Sequence, residues 1–306
     1  MEGSRQGARG AWVGLAMLLW GSGASAQPWV REGLYYRNTT LARLNPLGLF
    51  NELRVGYRHR LSHRAAPIFQ NTFVGLSANL AASPAFLRPG VVLDFNPLAV
   101  LQLFAMYEFT QYFGTFQFLQ SFPSASAAHA DSLLRSNAAN GLNQATTEHR
   151  VTFGATLQAR VDALAIRTAS RLTWISADVR AGDRALYDIW YDAMAQNGGW
   201  VYANDTDLLI SFPELGFAGG LRYSLVHALY GPGAYGPGEA QDNPNTPTQR
   251  LGPFVALTFR ERRRGWFNAP TVFALVNWWI SHRYRTGEDS HPALPYVVLG
   301  LQFRGD

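Results

Sequence analysis

Arginines and carboxylates recur at even spacings along this chain: Glu52, Arg54 and Arg58; Glu148 and Arg150; Arg167 and Arg171. In an extended strand, residues an even number apart share a face, so each set projects into one space. Arg60, Arg160, Arg222, Arg260, Arg283 and Arg285 extend the cationic set, and Asp94, Glu108 and Asp207 the anionic one. The face then collects eleven arginines against five carboxylates. Guanidinium groups grip carboxylates and phosphates through paired hydrogen bonds and stay protonated. If water reaches this face, it attracts small anions; if it does not, it is an ion-pair network filling a closed interior. Bulky neighbours on the same side, Phe104, Met106, Phe254 and Trp279, favour the filled interior.

Nucleophilic and metal chemistry has weaker candidates. Ser281 and His282 are adjacent, so on one strand they point to opposite faces and form no dyad. Glu148 and His149 meet the same obstacle, and His227 and His282 read as lipid-facing. His59 and His63, four apart near a strand end, lack a carboxylate to complete a metal site. With no cysteine there is no thiolate ligand or thiol nucleophile. Phosphate loops, dinucleotide fingerprints and calcium-loop spacings do not occur, so no cofactor or metal is expected. The aromatic run Tyr187–Asp192 reads as an interfacial belt or a loop folded into a barrel mouth, with surface recognition as the alternative.

The elements that must position these residues follow from the alternation. Leu251, Pro253, Val255, Leu257 and Phe259 share one face, with Gly252, Phe254, Ala256, Thr258 and Arg260 opposite; beyond the basic turn 262–265, Val272, Ala274, Val276, Trp278 and Ile280 repeat the apolar face. This period of two predicts a long hairpin whose apolar face needs a cover. Continued along the chain, the same reading predicts twelve strands: 29–44, 49–62, 67–81, 86–96, 98–113, 146–160, 163–177, 200–212, 215–230, 249–262, 267–285 and 293–304. If 67–96 were one strand bent at Pro84 and the first segment a lead-in, the count would be ten. Long connections fall at 114–145, 178–199, 231–248 and 286–292, and short ones at 161–163, 213–214 and 262–266. A short helix is expected from Asp131 to Arg135.

Compartment and composition agree with a membrane setting. Arg5 and Arg9, the apolar run from Ala11 to Trp20 and Ala24-Ser25-Ala26 predict a signal peptide over residues 1–26, with 27–306 the mature domain. No other apolar run approaches the length of a membrane-spanning helix. Charged residues are 15% against about a quarter in soluble domains, aromatics are 13%, and mean hydropathy is −0.09. Alternating strands average to that value because each apolar residue is followed by a polar one. The net charge of +5 comes from arginine alone, spread along strands on an exported chain, so nucleic acid is not an expected partner.

The signal peptide, the all-β body, the long loops gathered at one end and the terminal strand through Val297–Phe303 together resemble Gram-negative outer-membrane β-barrel proteins. The resemblance spans the mature chain and is to the class, not to one family; Arg304-Gly305-Asp306 after Phe303 departs from the class's terminal pattern. It implies a closed antiparallel transmembrane β-barrel with short periplasmic turns and long external loops, in contact with outer-membrane lipid. It also implies delivery to the barrel-assembly machinery through the C-terminal strand. The expected function is porin-like or structural, with a lumen that would favour small anionic solutes if open; the alternative is a lipid-facing outer-membrane hydrolase of phospholipase or deacylase type, for which no catalytic residues are assigned.

Overall fold

A computed structural model describes residues 32–64, 66–239, 245–259 and 268–305. The expected signal peptide, Arg260 and the basic turn at 262–266 lie outside them. The chain runs through β1 (Gly33–Leu44), β2 (Gly48–Arg60), β3 (Phe73–Ser83), β4 (Phe86–Leu98) and β5 (Leu101–Phe113). It then leaves the wall for β6 (Ser121–Phe122) and α1 (Asp131–Ala139), and returns with β7 (Ala145–Val161) and β8 (Leu164–Ala177). A second excursion carries β9 (Ala185–Asp188) and β10 (Ala193–Gln196). The wall is completed by β11 (Gly199–Phe212), β12 (Phe217–Leu229), β13 (Thr248–Thr258), β14 (Asn268–Ser281) and β15 (Tyr296–Gly305).

Twelve of these strands form one closed antiparallel barrel, while β6, β9 and β10 make a separate three-stranded sheet. Closure comes from β15 pairing with β1, from Tyr36 opposite Gly305 to Leu44 opposite Val297, which leaves the sheet no free edge. The count of twelve is therefore the right reading. Residues 67–96 are not one bent strand, because Ser83 pairs with Phe86 across a tight turn at 84–85, and β1 is part of the wall.

The two-residue period separates the faces as the sequence predicts. On β13, Leu251, Val255 and Leu257 are exposed outward, while Arg250, Gly252, Phe254 and Ala256 are buried inward. Val272, Trp278 and Ile280 on β14 and Leu299 on β15 continue the outward apolar belt. Among the described residues nothing covers that belt, so lipid is the cover, as in a transmembrane barrel. Wall strands of 10 to 17 residues reach across a bilayer when tilted. Among the described residues no helix is long and apolar enough to cross a membrane.

The connections sort by end. The long excursions 114–144, 178–198, 230–247 and 282–295 share the external end with the tight turns 45–47 and 84–85. The periplasmic end carries the short links 99–100, 162–163 and 213–216. Asn45 and Asp162 take positive φ (57° and 51°) at two of the tight turns, a conformation these side chains tolerate better than most. One connection is longer than the sequence suggests: β3 starts at Phe73 instead of 67, so 61–72 is an extended periplasmic loop.

Candidate functional site: an arginine-lined lumen and its plug

Register builds the lumenal network. Asp207 on β11 lies directly opposite Arg222 on β12 and Arg167 on β8, so one carboxylate serves two guanidiniums. Arg222 donates to both its oxygens at 2.6 and 2.8 Å, and Arg167 at 3.4 Å. Two residues along the same face, Asp205 accepts from Arg171 at 2.6 Å and from the Ser224 hydroxyl at 2.6 Å. On the other side of the barrel Arg37 pairs with Glu52 at 3.1 Å and Arg54 with Asp94 at 3.5 Å. Arg88 donates to the Thr110 hydroxyl at 2.8 Å and lies 4.0 Å from Glu148.

Inward aromatics fill the space between these pairs. The Phe104 ring lies over Gly154 and the Phe273 ring over Gly300, each on the neighbouring strand, where any Cβ would collide with the ring. Val92, Met106 and Phe254 are buried beside them, and Glu148, Asp207 and Asn277 have no solvent exposure. Among the described residues the buried wall side chains include eight arginines (Arg43, Arg54, Arg88, Arg150, Arg167, Arg171, Arg222 and Arg250). Six buried carboxylates face them: Glu52, Asp94, Glu108, Glu148, Asp205 and Asp207. The wall alone is thus short of negative charge.

The external loops supply it. The β9–β10 hairpin and the residues between its strands sit inside the mouth, where Tyr187, Asp188, Ile189, Tyr191 and Asp192 are buried. Asp188 accepts the backbone N–H groups of Trp190 (2.7 Å) and Tyr191 (2.9 Å) with one oxygen, which shapes the turn. Its other oxygen pairs with Arg150, which also holds Glu148. Tyr191 bonds the Thr173 hydroxyl at 2.7 Å, and Arg43 donates to the Ile189 carbonyl at 2.6 Å. Asp192 accepts from Tyr187 at 2.5 Å and from Arg285 at 2.9 Å. Arg285 also reaches Asp131 at the start of α1 (3.0 Å), linking the 114–144, 178–198 and 282–295 loops.

Electrostatics in this plug follow from burial against pairing. Burial by itself would raise the Asp192 carboxyl, but His282 and Arg285 beside it hold it well below the usual carboxylate range. Burial pushes Tyr187 well above the usual phenol range, reinforced by the Asp192 charge. His129, buried against Tyr187 and Tyr284, is pushed down to about 4 by loss of solvent.

The expected charged face divides by height. Glu52, Arg54, Glu108, Glu148, Arg150, Arg167, Arg171 and Arg222 are buried inside the barrel. Arg58 is half-buried with its guanidinium 3.6 Å from the Tyr35 ring centre, and Arg60 is also half-buried. Arg160 is exposed where β7 ends at the periplasmic side. Arg283 does not line the wall: β14 stops at Ser281, and Arg283 is an exposed loop residue donating to the Ser126 carbonyl at 3.2 Å. Arg260 is outside the described residues. Arg88, Arg250 and Asp205 share the inward parity of Asp94, Phe254 and Asp207 on their strands, which is a signal the sequence offers for them, and Arg37 and Arg43 lie on β1, which contributes no residue to the expected face. Asp188 and Asp192 carried no comparable signal, because loops have no period.

The histidine candidates also move. His282 faces the plug instead of lipid, with Asp192 3.3 Å from Nε2. Its Nδ1 accepts the Tyr284 N–H at 3.0 Å, so both ring nitrogens are engaged by structure. His59 bonds Glu32 at 3.0 Å at the periplasmic end. Among the described residues no group of three His, Cys, Asp or Glu is arranged to hold a metal ion.

An apolar belt, a charged interior and long loops at one end define an outer-membrane β-barrel protein. No protein-family model matches the chain, and no curated protein matches it. Among solved structures it is similar to an outer membrane channel from Pseudomonas putida F1 (9% identity, 90% of this chain and 95% of that one, TM-score 0.44). It is also similar to the translocator domain of the autotransporter NalP from Neisseria meningitidis (11%, 90% and 88%, 0.42). LpxR from Salmonella typhimurium is a third such structure (9%, 88% and 99%, 0.39). At these identities and scores the likenesses transfer no site and no activity.

Proposed function

We propose that this protein is an outer-membrane passage for small anions that its own loop holds shut. The observation that carries the reading is the charge match at the mouth: Asp188 pairs with Arg150 of a wall holding eight buried arginines and six buried carboxylates, and Asp192 pairs with Arg285 of a neighbouring loop. An anionic loop seated among arginines occupies the place a solute anion would take, and its departure leaves Arg150 and Arg285 facing the opening. Inside the wall, the Asn79 and Asn277 amides and one Glu108 oxygen make no hydrogen bond among the described residues. Leaving such groups dry costs about 1–3 kcal/mol each, which suits a lumen that admits water better than a sealed core.

Assembly follows the same class logic. The terminal strand β15 places Leu299, Leu301 and Phe303 on the outward face, the pattern expected to be read by barrel-assembly machinery.

Planar-bilayer recording tests the passage. The intact protein should be nearly silent, and a variant with residues 185–196 replaced by a short glycine-serine link should conduct with a reversal potential favouring anions. A silent or cation-selective loop variant would sink the proposal.

A further inference from the structure

A recess outside the lumen lies at the external rim, beside the tight turns at 45–47 and 84–85. Its volume is about 710 Å3, within the roughly 300–1,000 Å3 usual for small-molecule sites. On the inner side it is walled by aromatic rings, with Phe50 4.8 Å from Trp190 and 6.4 Å from Phe86, and by Leu134 of α1. On the outer side it is bordered by Leu49 and Leu299, exposed on the outward face of the wall, and by Leu47, exposed in the tight turn. One apolar recess therefore runs from the bilayer's outer edge into the barrel mouth, and hydrocarbon can enter it without meeting water.

Two cations border this recess without a counter-charge. Arg43 is buried and donates to the Ile189 carbonyl, and no described carboxylate lies within ion-pair distance of it. Arg135, on the exposed side of α1, makes no ion pair among the described residues either. The carboxylate on the lining, Asp131, is already held by Arg285 at 3.0 Å. A buried guanidinium without a counter-ion is costly, and an anionic head at this position would supply one.

We propose that this recess binds a single acyl chain carrying an anionic head, the chain against Phe50, Phe86 and Trp190 and the head at Arg43 and Arg135. The site shares Tyr187, Ile189 and Trp190 with the plug but needs no conductance, so lipid binding to the intact protein tests it apart from the passage.

Equilibrium binding to the purified full chain in detergent tests this with radiolabelled palmitate, a palmitoyl lysophosphatidate and the uncharged alcohol palmitol. Saturable binding of palmitate or lysophosphatidate is expected, and which of them binds tells a free fatty acid from a membrane lipid. Arg43→Gln should weaken binding of the anionic probe about tenfold and leave palmitol unchanged. Ala85→Phe, which puts a ring into the recess, should abolish binding of all three probes. Heat-modified gel mobility reports whether each variant is a folded barrel; should Arg43→Gln not fold, the exposed Arg135→Gln takes its place. Absence of saturable binding, or equal binding of palmitate by the wild type and both folded variants, would overturn the site. Equal retention of palmitate and palmitol in the arginine variants would overturn the anionic head.

Discussion

Two pairs of aspartates in this barrel do the same chemistry from different supports. Asp205 and Asp207 sit on β11, two residues apart, and meet Arg171, Arg167 and Arg222 on the strands that flank it. Asp188 and Asp192 are carried by the β9–β10 excursion and meet Arg150 on the wall and Arg285 on another loop. The first pair is fixed by ladder register, so it can part only if the sheet parts. The second is fixed by a hairpin whose backbone is not part of the wall, so it can part while the barrel stays intact. Ion pairs of similar burial thus join wall strands to one another in one place and seat a loop in the mouth in the other.

That contrast can be broken by experiment. Asp207→Ala leaves Arg167 and Arg222 buried without their shared partner and should cost about 3–5 kcal/mol of barrel stability. Urea unfolding of the detergent-refolded protein reads the loss, and bilayer conductance should remain at the wild-type level. The double change Asp188→Asn with Asp192→Asn should loosen the loop by roughly 2–3 kcal/mol, from weakened hydrogen bonds to charged partners. Proteolysis within 178–198 should accelerate and anion conductance appear, while the barrel's unfolding midpoint stays nearly fixed. A midpoint lowered as far as by Asp207→Ala would show that the plug belongs to the wall.

Acid offers a milder lever. His129 titrates near 4 in the closed plug, where burial disfavours its charge and Tyr187, Tyr284, Asp192, His282 and Arg283 surround it. Once released to solvent it returns to about 6.5. Above pH 6.5 neither state binds the proton. Between about 6.5 and 4 only the released state does, so closure weakens as pH falls, by on the order of 3 kcal/mol in all, and levels off below 4. Loop proteolysis followed from pH 7 to 4 should rise through that window and lose its pH dependence in His129→Gln. The smallest effect is expected at the periplasmic end, where Glu32 and His59 form an exposed pair. Glu32→Gln should change neither unfolding nor conductance, since water screens exposed pairs.

Much of the wall was legible before any coordinates, because strand alternation leaves a mark in every segment it builds. Leu251 to Ile280 reads as a hairpin with one apolar face, and over Leu251–Thr258 and Val272–Ile280 its outward and inward sets are those observed. The same alternation assigned Glu52, Arg54, Glu148, Arg150 and Arg222 inward. It failed at Arg283, where the strand was extended past its end, and at 67–72, where a loop was read as strand. The aromatic run at 187–192 admitted both a folded-in loop and a surface, and only its burial decides for the former.

The sequence by itself determined the class of protein: a period of two with an apolar outer set, sparse charges and long loops at one end point to lipid as the cover, and a closed sheet is the form that leaves no backbone group unpaired there. Only the tertiary structure decided which charges meet. Asp192 and Arg285 are 93 residues apart and Arg150 and Asp188 are 38 apart. Their encounters depend on barrel closure, which sets wall arginines beneath loops that have no repeating pattern of their own. A local pattern can say which way a side chain points, but what it then meets is set by the strands and loops that closure brings around it.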